Sequence, residues 1–195
     1  IAVPKLSLGM LSGLMPSISP VQRRELGRVL ESLKRRMKDG LGPYDLDDIR
    51  VQVLQDKEIK ENVKSSLLGW LHELGELRLF GKIDVPSIRD LAGPGTVSII
   101  DLSDITGLKK KQAILAYFAQ TLFNLRRQKR IPPSLLVIEE SHQFIPEKVS
   151  AEGALSKGAL RMIAREGRKF GCSLCLVSQR PIQLDTTTLS QCNTH

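Results

Sequence analysis

The chain predicts an α/β fold, part of a parallel sheet with flanking helices, together with a small all-helical subdomain. Three observations carry this. Apolar strand-like stretches at 96–102, 135–138 and 172–177 alternate with helical stripes, the order of a parallel sheet with right-handed crossovers. Polar residues follow two of those stretches, Glu139-Glu140 after one and Ser178-Gln179 after the other, and ligands of open α/β sheets sit at such carboxyl ends. Between 16 and about 80, apolar residues recur instead at helical intervals.

Taken in order, residues 1–15 mix Ile, Val, Leu and Met with Gly9 and Gly13 too irregularly for one element, and are expected to be a linker or a remnant of an upstream core. The helical subdomain, 16–80, opens at Ser19-Pro20-Val21-Gln22: a serine cap, a proline in the first turn and a glutamine placed to close a capping box. Leu26, Val29, Leu30, Leu33 and Met37 then form one stripe, which Gly40 ends. Acidic residues in Tyr44-Asp-Leu-Asp-Asp-Ile49 suit a second helix start. A further helix is expected over 57–77, with Ile59, Val63, Leu67, Trp70, Leu71 and Leu74 inward; His72 beside that stripe reads as packed or solvated.

Residues 81–95 form a connector rich in glycine and proline, so the boundary belongs there, and 96–195 make up the sheet-bearing part. Its first strand is expected at Thr96–Leu102, ending near Asp101, which reads as a capping or buried group. A long helix over 109–129 follows, with Ile114, Leu115, Phe118, Leu122 and Leu125 facing the sheet, and Pro132-Pro133 stops it. Leu135 to Ile138 is an unbroken apolar run, expected to be a strand buried on both faces. Leu160, Ile163 and Ala164 mark the buried stripe of the next helix, Gly171 supplies its left-handed stop, and Cys172 to Val177 is the last strand. Asp185 is placed to cap a short threonine-rich helix.

The chemistry concentrates at the strand ends. A first carboxylate in such a place supports Mg²⁺, directly or through water, and a second polarises the water attacking a γ-phosphate, which assigns Glu139 to the metal and Glu140 to the water. The plainer alternative is a solvated strand end. The helix after it carries Arg161, Arg165, Arg168 and Lys169, read either as a solvated face or as a source of an arginine for a neighbouring subunit. His142, two residues beyond paired acids, can be read as part of a metal site or of an acid-base pair. Cys172 and Cys175 form a C-x-x-C, but residues three apart in a strand point to opposite faces, so they read as small core residues, and three cysteines suggest no disulfide framework.

A hydrophobic content of 41% over 195 residues provides for a real core and argues against disorder. No apolar run approaches the ~20 residues of a membrane span, and the N-terminus lacks a signal-peptide pattern, so the chain reads as intracellular, in the cytoplasm, with no membrane partner. A net charge of +8 suits an anionic partner, and aromatics at 4% are too few for a base-stacking platform, so the charge reads either as phosphate-backbone contact with nucleic acid or as a generally basic surface whose clusters at helix ends favour the macrodipole.

Four segments in order, Glu139-Glu140-Ser141-His142, Ile163-Ala-Arg-Glu-Gly-Arg-Lys-Phe-Gly171, Val177-Ser-Gln-Arg-Pro181 and Leu189-Ser-Gln-Cys-Asn193, resemble the second half of the HerA branch of the FtsK/HerA ATPases, hexameric archaeal and bacterial DNA translocases. The resemblance is strong from 134 to 195 and consistent in layout before that. It implies a partial RecA-like P-loop NTPase core, with the helical subdomain as an insertion between the two Walker motifs. It implies the Walker B role for Glu139 and catalysis by Glu140, an arginine finger at Arg165 with Arg168 as second choice, and a nucleotide sensor at Gln179. ATP and Mg²⁺ are the implied cofactors. Double-stranded DNA, a homo-hexamer and a NurA-type nuclease are the implied partners, and end resection in DNA repair is the implied work.

One departure stands out. A P-loop needs Gly-x-x-x-x-Gly-Lys-Ser/Thr, and the only Gly-Lys pair here, Gly81-Lys82, is followed by Ile83 and preceded at the first glycine position by Glu76. The expectation is therefore a fragment of a longer ATPase that does not bind or hydrolyse ATP alone. A conjugation or packaging motor would share the acidic and glutamine signals, and a degenerate, non-catalytic scaffold would share the missing loop.

Overall fold

The computed structural model describes residues 1–15, 17–84, 86–149 and 154–192. They fall into two compact units, Ile1–Val85 and Pro86–His195.

In the first unit, α1 (Leu8–Gly13), α2 (Pro20–Arg36), α3 (Leu46–Gln55) and α4 (Glu61–Glu76) pack around Leu26, Ile49, Val53, Leu67 and Leu71, all buried. The capping box at Ser19 and Gln22 is present, with Ser19 N donating to Gln22 Oε1 (2.9 Å) and Gln22 N to Ser19 Oγ (3.2 Å). A second box joins Asp45 and Asp48 at the start of α3. Gly40, at φ 91, breaks the helical path after α2 at little steric cost. The first residues are tied into this unit: Val3 N donates to Gly81 O (2.9 Å), the terminal ammonium to Leu79 O (2.8 Å), and Lys5 pairs with Asp84 (2.9 Å). Such pairing across some eighty residues leaves no local signal, which is why this stretch reads as irregular. His72 is exposed.

The second unit runs α5 (Ile88–Leu91), α6 (Leu108–Arg127), β1 (Ser134–Ile138), α7 (Lys157–Phe170), β2 (Cys172–Leu176) and α8 (Thr186–Leu189). β1 and β2 pair in parallel, with Ser134 opposite Cys172 and Ile138 opposite Leu176. This is the predicted α/β arrangement of parallel strands with flanking helices. α6 and α7 close over one face, where Ala119, Phe123, Ile138, Leu160, Ile163 and Cys172 form the core. Gly167 is what lets α7 lie so close to β2, because a Cβ there would stand 2.0 Å from the Cys172 carbonyl oxygen. Gly171 ends α7 in the left-handed region, φ 69.

Two sequence expectations are corrected. Residues 96–102 form no strand: Val97 and Ile99 are 91% and 88% exposed, and the segment has no ladder partner among the described residues. β1 is buried on one face only, because the helices cover Leu136 and Ile138 while Leu135 and Val137 remain 62% and 53% exposed. The apolar run identified the strand, but a second covering layer is absent among the described residues. Asp101 caps its own turn, accepting from Ser103 N (2.8 Å).

Candidate functional site

The parallel register brings the carboxyl ends of β1 and β2 to one rim. Beyond the last ladder pair the two chains stay joined. Val177 N donates to Ile138 O (2.9 Å), and both the amide and the hydroxyl of Ser141 donate to Val177 O (3.0 Å each). Glu139 and Glu140 leave this rim from β1, and Gln179 leaves it from β2; Glu139 and Gln179 are exposed and Glu140 is half-exposed.

Glu140 sits at φ 49, a left-handed conformation that costs a non-glycine residue roughly 1–2 kcal/mol. The sharp turn it makes is closed by Gln143 N donating to Glu140 O (2.9 Å). His142 Nδ1 lies 3.3 Å from Glu140 Oε2 and 3.0 Å from Ser178 Oγ, and that hydroxyl also accepts from Arg180 N (3.0 Å). His142 is thus the link between the acidic end of β1 and the residue before Gln179. Strained backbone held by a surrounding network is a feature of functional sites.

The arginines are placed differently. α7 begins at this rim, where Lys157 meets the loop after β1, and ends beside Cys172 at the far end of the strands, so Arg165 and Arg168 lie in the half of the helix farther from the acid pair. The Arg165 side chain is 70% exposed and bonded only to its neighbour Glu166 (2.7 Å) in the described set; Arg168 is exposed in the last turn. The fold gathers Glu139, Glu140 and Gln179 and leaves the two arginines on an outer helix face.

A second polar cluster on the same rim escaped the sequence reading. Asp185, 2% exposed, accepts from Arg161 Nε (3.0 Å) and Nη2 (2.5 Å), from Thr188 N (2.9 Å) and Oγ1 (2.7 Å), and pairs with Lys157 Nζ (3.1 Å). Lys157, equally buried, also donates to Pro146 O (2.6 Å) and Val149 O (2.8 Å). Burial alone would raise the Asp185 carboxyl; the Arg161 guanidinium, then Thr188 and Lys157, outweigh it and hold it well below the usual carboxylate range. The helix-capping role foreseen for Asp185 is present, but the 157/161 spacing with a distant aspartate carried no signal of a buried ion cluster.

Glu139 fits a Mg²⁺ ligand by its chemistry. That ion keeps several waters and takes one or two carboxylates beside substrate phosphates, so one exposed carboxylate next to Glu140 suffices, and no group of three or more His, Cys, Asp or Glu placed for a metal occurs among the described residues. Burial pushes the Cys172 thiol up, as suits a small packing residue, while Cys175 is only partly buried.

No protein-family profile matches the chain. It is 30% identical over 190 residues to the DNA double-strand break repair helicase HerA of Saccharolobus solfataricus, covering 88% of this chain and 37% of that protein. By sequence the chain is HerA-like. The Sulfurisphaera tokodaii HerA is 29% identical over the same length, and the probable HerA of Methanocaldococcus jannaschii is 55% identical over 62 residues, 32% of this chain and 12% of that one. The HerA-like chain thus spans little more than a third of the first two relatives. Its fold is shared with VirB4 of Thermoanaerobacter pseudethanolicus at a TM-score of 0.57 and 14% identity, over 89% of this chain and 63% of the other.

Proposed function

We propose that this HerA-like chain is part of an ATP-driven translocase or helicase of double-stranded DNA that acts in DNA end processing and repair. The reading rests on one observation above others: Glu139, Glu140 and Gln179 share one rim of a parallel sheet, while Arg165 and Arg168 of the connecting helix are exposed. ATP with Mg²⁺ supplies the phosphoryl group and the neutralising charge when bound. Glu139 holds the metal, directly or through water. Glu140 orients and polarises the attacking water, and its carboxylate is steadied by His142, which is itself held at Ser178. Gln179, one residue on from Ser178, senses the state of the phosphate through that short link. Arg165 reaches the nucleotide of the adjacent subunit, with Arg168 one turn on as the alternative, and an arginine finger is worth ~10³-fold or more in turnover.

An arginine that serves a neighbour needs an adjacent subunit, and the resemblance makes that assembly a homo-hexamer, with double-stranded DNA contacted through its phosphates and a NurA-type nuclease as accessory partner. The 195 residues contain no Gly-x-x-x-x-Gly-Lys-Ser/Thr, so in this reading other residues supply the phosphate cradle, and this segment alone is expected neither to bind nor to hydrolyse ATP. The same absence favours a second reading, a non-catalytic scaffold copy, which holds if the full reading frame contains no such loop.

The test is Glu140→Gln in the full-length protein. ATP binding and assembly should persist while hydrolysis falls to background; retained turnover removes Glu140 from the mechanism.

A further inference from the structure

Asp185 stands at the meeting point of three segments. Its amide donates to Ile145 O (3.0 Å), next to the antiparallel bridge between Pro146 and Leu184, and Glu147 N donates to Gln183 O (2.8 Å). Those contacts tie the 183–185 segment to the loop that follows the acid pair. That loop is itself continuous with the Glu140 turn, since Phe144 N and Ile145 N both donate to Ser141 O (3.0 Å each). The Asp185 carboxylate then reaches across to α7, where it takes Lys157 and Arg161 together.

On α7, Lys157, Arg161 and Arg165 are four residues apart and lie along one side of the helix. Two successive members of that row are fixed to one carboxylate, which sets the rotation of the helix about its axis at the turn before Arg165. The two-point grip of Arg161, through Nε and Nη2, resists rotation in a way that a single contact would not. Glu147 adds a tie on the same side, accepting from Thr186 N (2.6 Å) and Oγ1 (2.9 Å).

We infer that Asp185, acting through Arg161, is a positioning residue that sets the aim of Arg165 relative to the rim bearing Glu139 and Glu140. The inference rests on the proposed trans role of Arg165. It assigns a function to a buried ion cluster that the mechanism otherwise leaves unused, and it makes the 183–188 segment the part that registers one subunit's acid pair against the arginine it offers to the next.

Asp185→Asn would leave the buried Lys157 ammonium without its anionic partner, so the better probe is Arg161→Gln, which leaves Lys157 and Thr188 on the carboxylate. In the full-length protein, wild type, Arg161→Gln, Arg165→Ala and the double variant are compared for ATP turnover about 10 °C below each one's own melting midpoint, a margin that keeps the unfolded fraction small. Misplacing a catalytic group by ~1 Å costs up to ~10²-fold, so Arg161→Gln should lower kcat by between about 10- and 100-fold with KM for ATP unchanged, and the double variant should be no slower than Arg165→Ala. A normal kcat in Arg161→Gln, or losses that multiply in the double variant, overturns the inference. An inactive wild type overturns instead the ATPase reading on which it stands.

Discussion

Single residues carry much of this design. Gly167 has no room for a methyl group, since the Cys172 carbonyl would lie 2.0 Å from it, whereas Gly69 in the exposed middle of α4 meets nothing within 4 Å. Gly167→Ala should therefore cost ~3 kcal/mol, the upper end of overpacking penalties, and Gly69→Ala should gain ~0.5–1 kcal/mol from helix propensity. Urea unfolding of both variants checks the contrast; equal effects would mean that α7 does not approach β2 as closely as described. Asp185 sets a pH dependence. Its carboxyl is depressed in the folded state, so its contribution is present above the unfolded value near ~3.9 and is lost as pH falls below it. The stability difference between about pH 6 and about pH 3 should shrink in Arg161→Gln, because Asp185 then titrates closer to its unfolded value. An unchanged difference would show that Arg161 does not depress it.

At the scale of elements, helices proved the most legible. The stripe beginning at Leu26 and the box at Ser19 gave α2, and the expected 109–129 helix is found at Leu108–Arg127. Strands were legible in part. The run Leu135–Ile138 identified β1, yet the Val97–Ile100 stretch, apolar apart from Ser98, forms none, because a strand exists only where a partner accepts its ladder. If that stretch makes no apolar contact, Val97→Thr with Ile99→Thr should change the unfolding free energy by no more than ~0.5 kcal/mol in this chain. A loss of several times that would show that the segment pairs in solution.

At the scale of the whole chain, charge is unevenly spread. Arg127, Lys129, Arg130, Arg168 and Lys169 are exposed where α6 and α7 end, at the opposite end of the strands from the acid pair, and Arg127 lies 5.7 Å from the centre of the Phe170 ring. Lys129 occupies a left-handed position, φ 54, after α6, where glycine would be less strained. If the net +8 serves DNA phosphate contact there, Lys129→Glu with Arg130→Glu should weaken binding of duplex DNA by the full-length protein without regard to sequence, and should flatten the slope of log affinity against log salt by about 0.9 per lost phosphate contact. Titrations at several salt concentrations decide it, and an unchanged slope places the DNA elsewhere. No helix of the described residues is long and apolar enough to cross a membrane.

By itself the sequence determined the parallel α/β class, the helical segment before it, the strand that Glu139 and Glu140 follow, and the likeness to HerA. All of these reside in local periodicity or in contiguous motifs, and so survive without coordinates. Only the tertiary structure decided that the first residues bind to 79–84, that β1 is covered on one face, that His142 bridges Glu140 to Ser178, and that Lys157, Arg161 and Asp185 form one buried cluster. Each of those joins residues distant in the chain. A pairing energy between two remote groups depends on the path that brings them together, and no single stretch of sequence contains it.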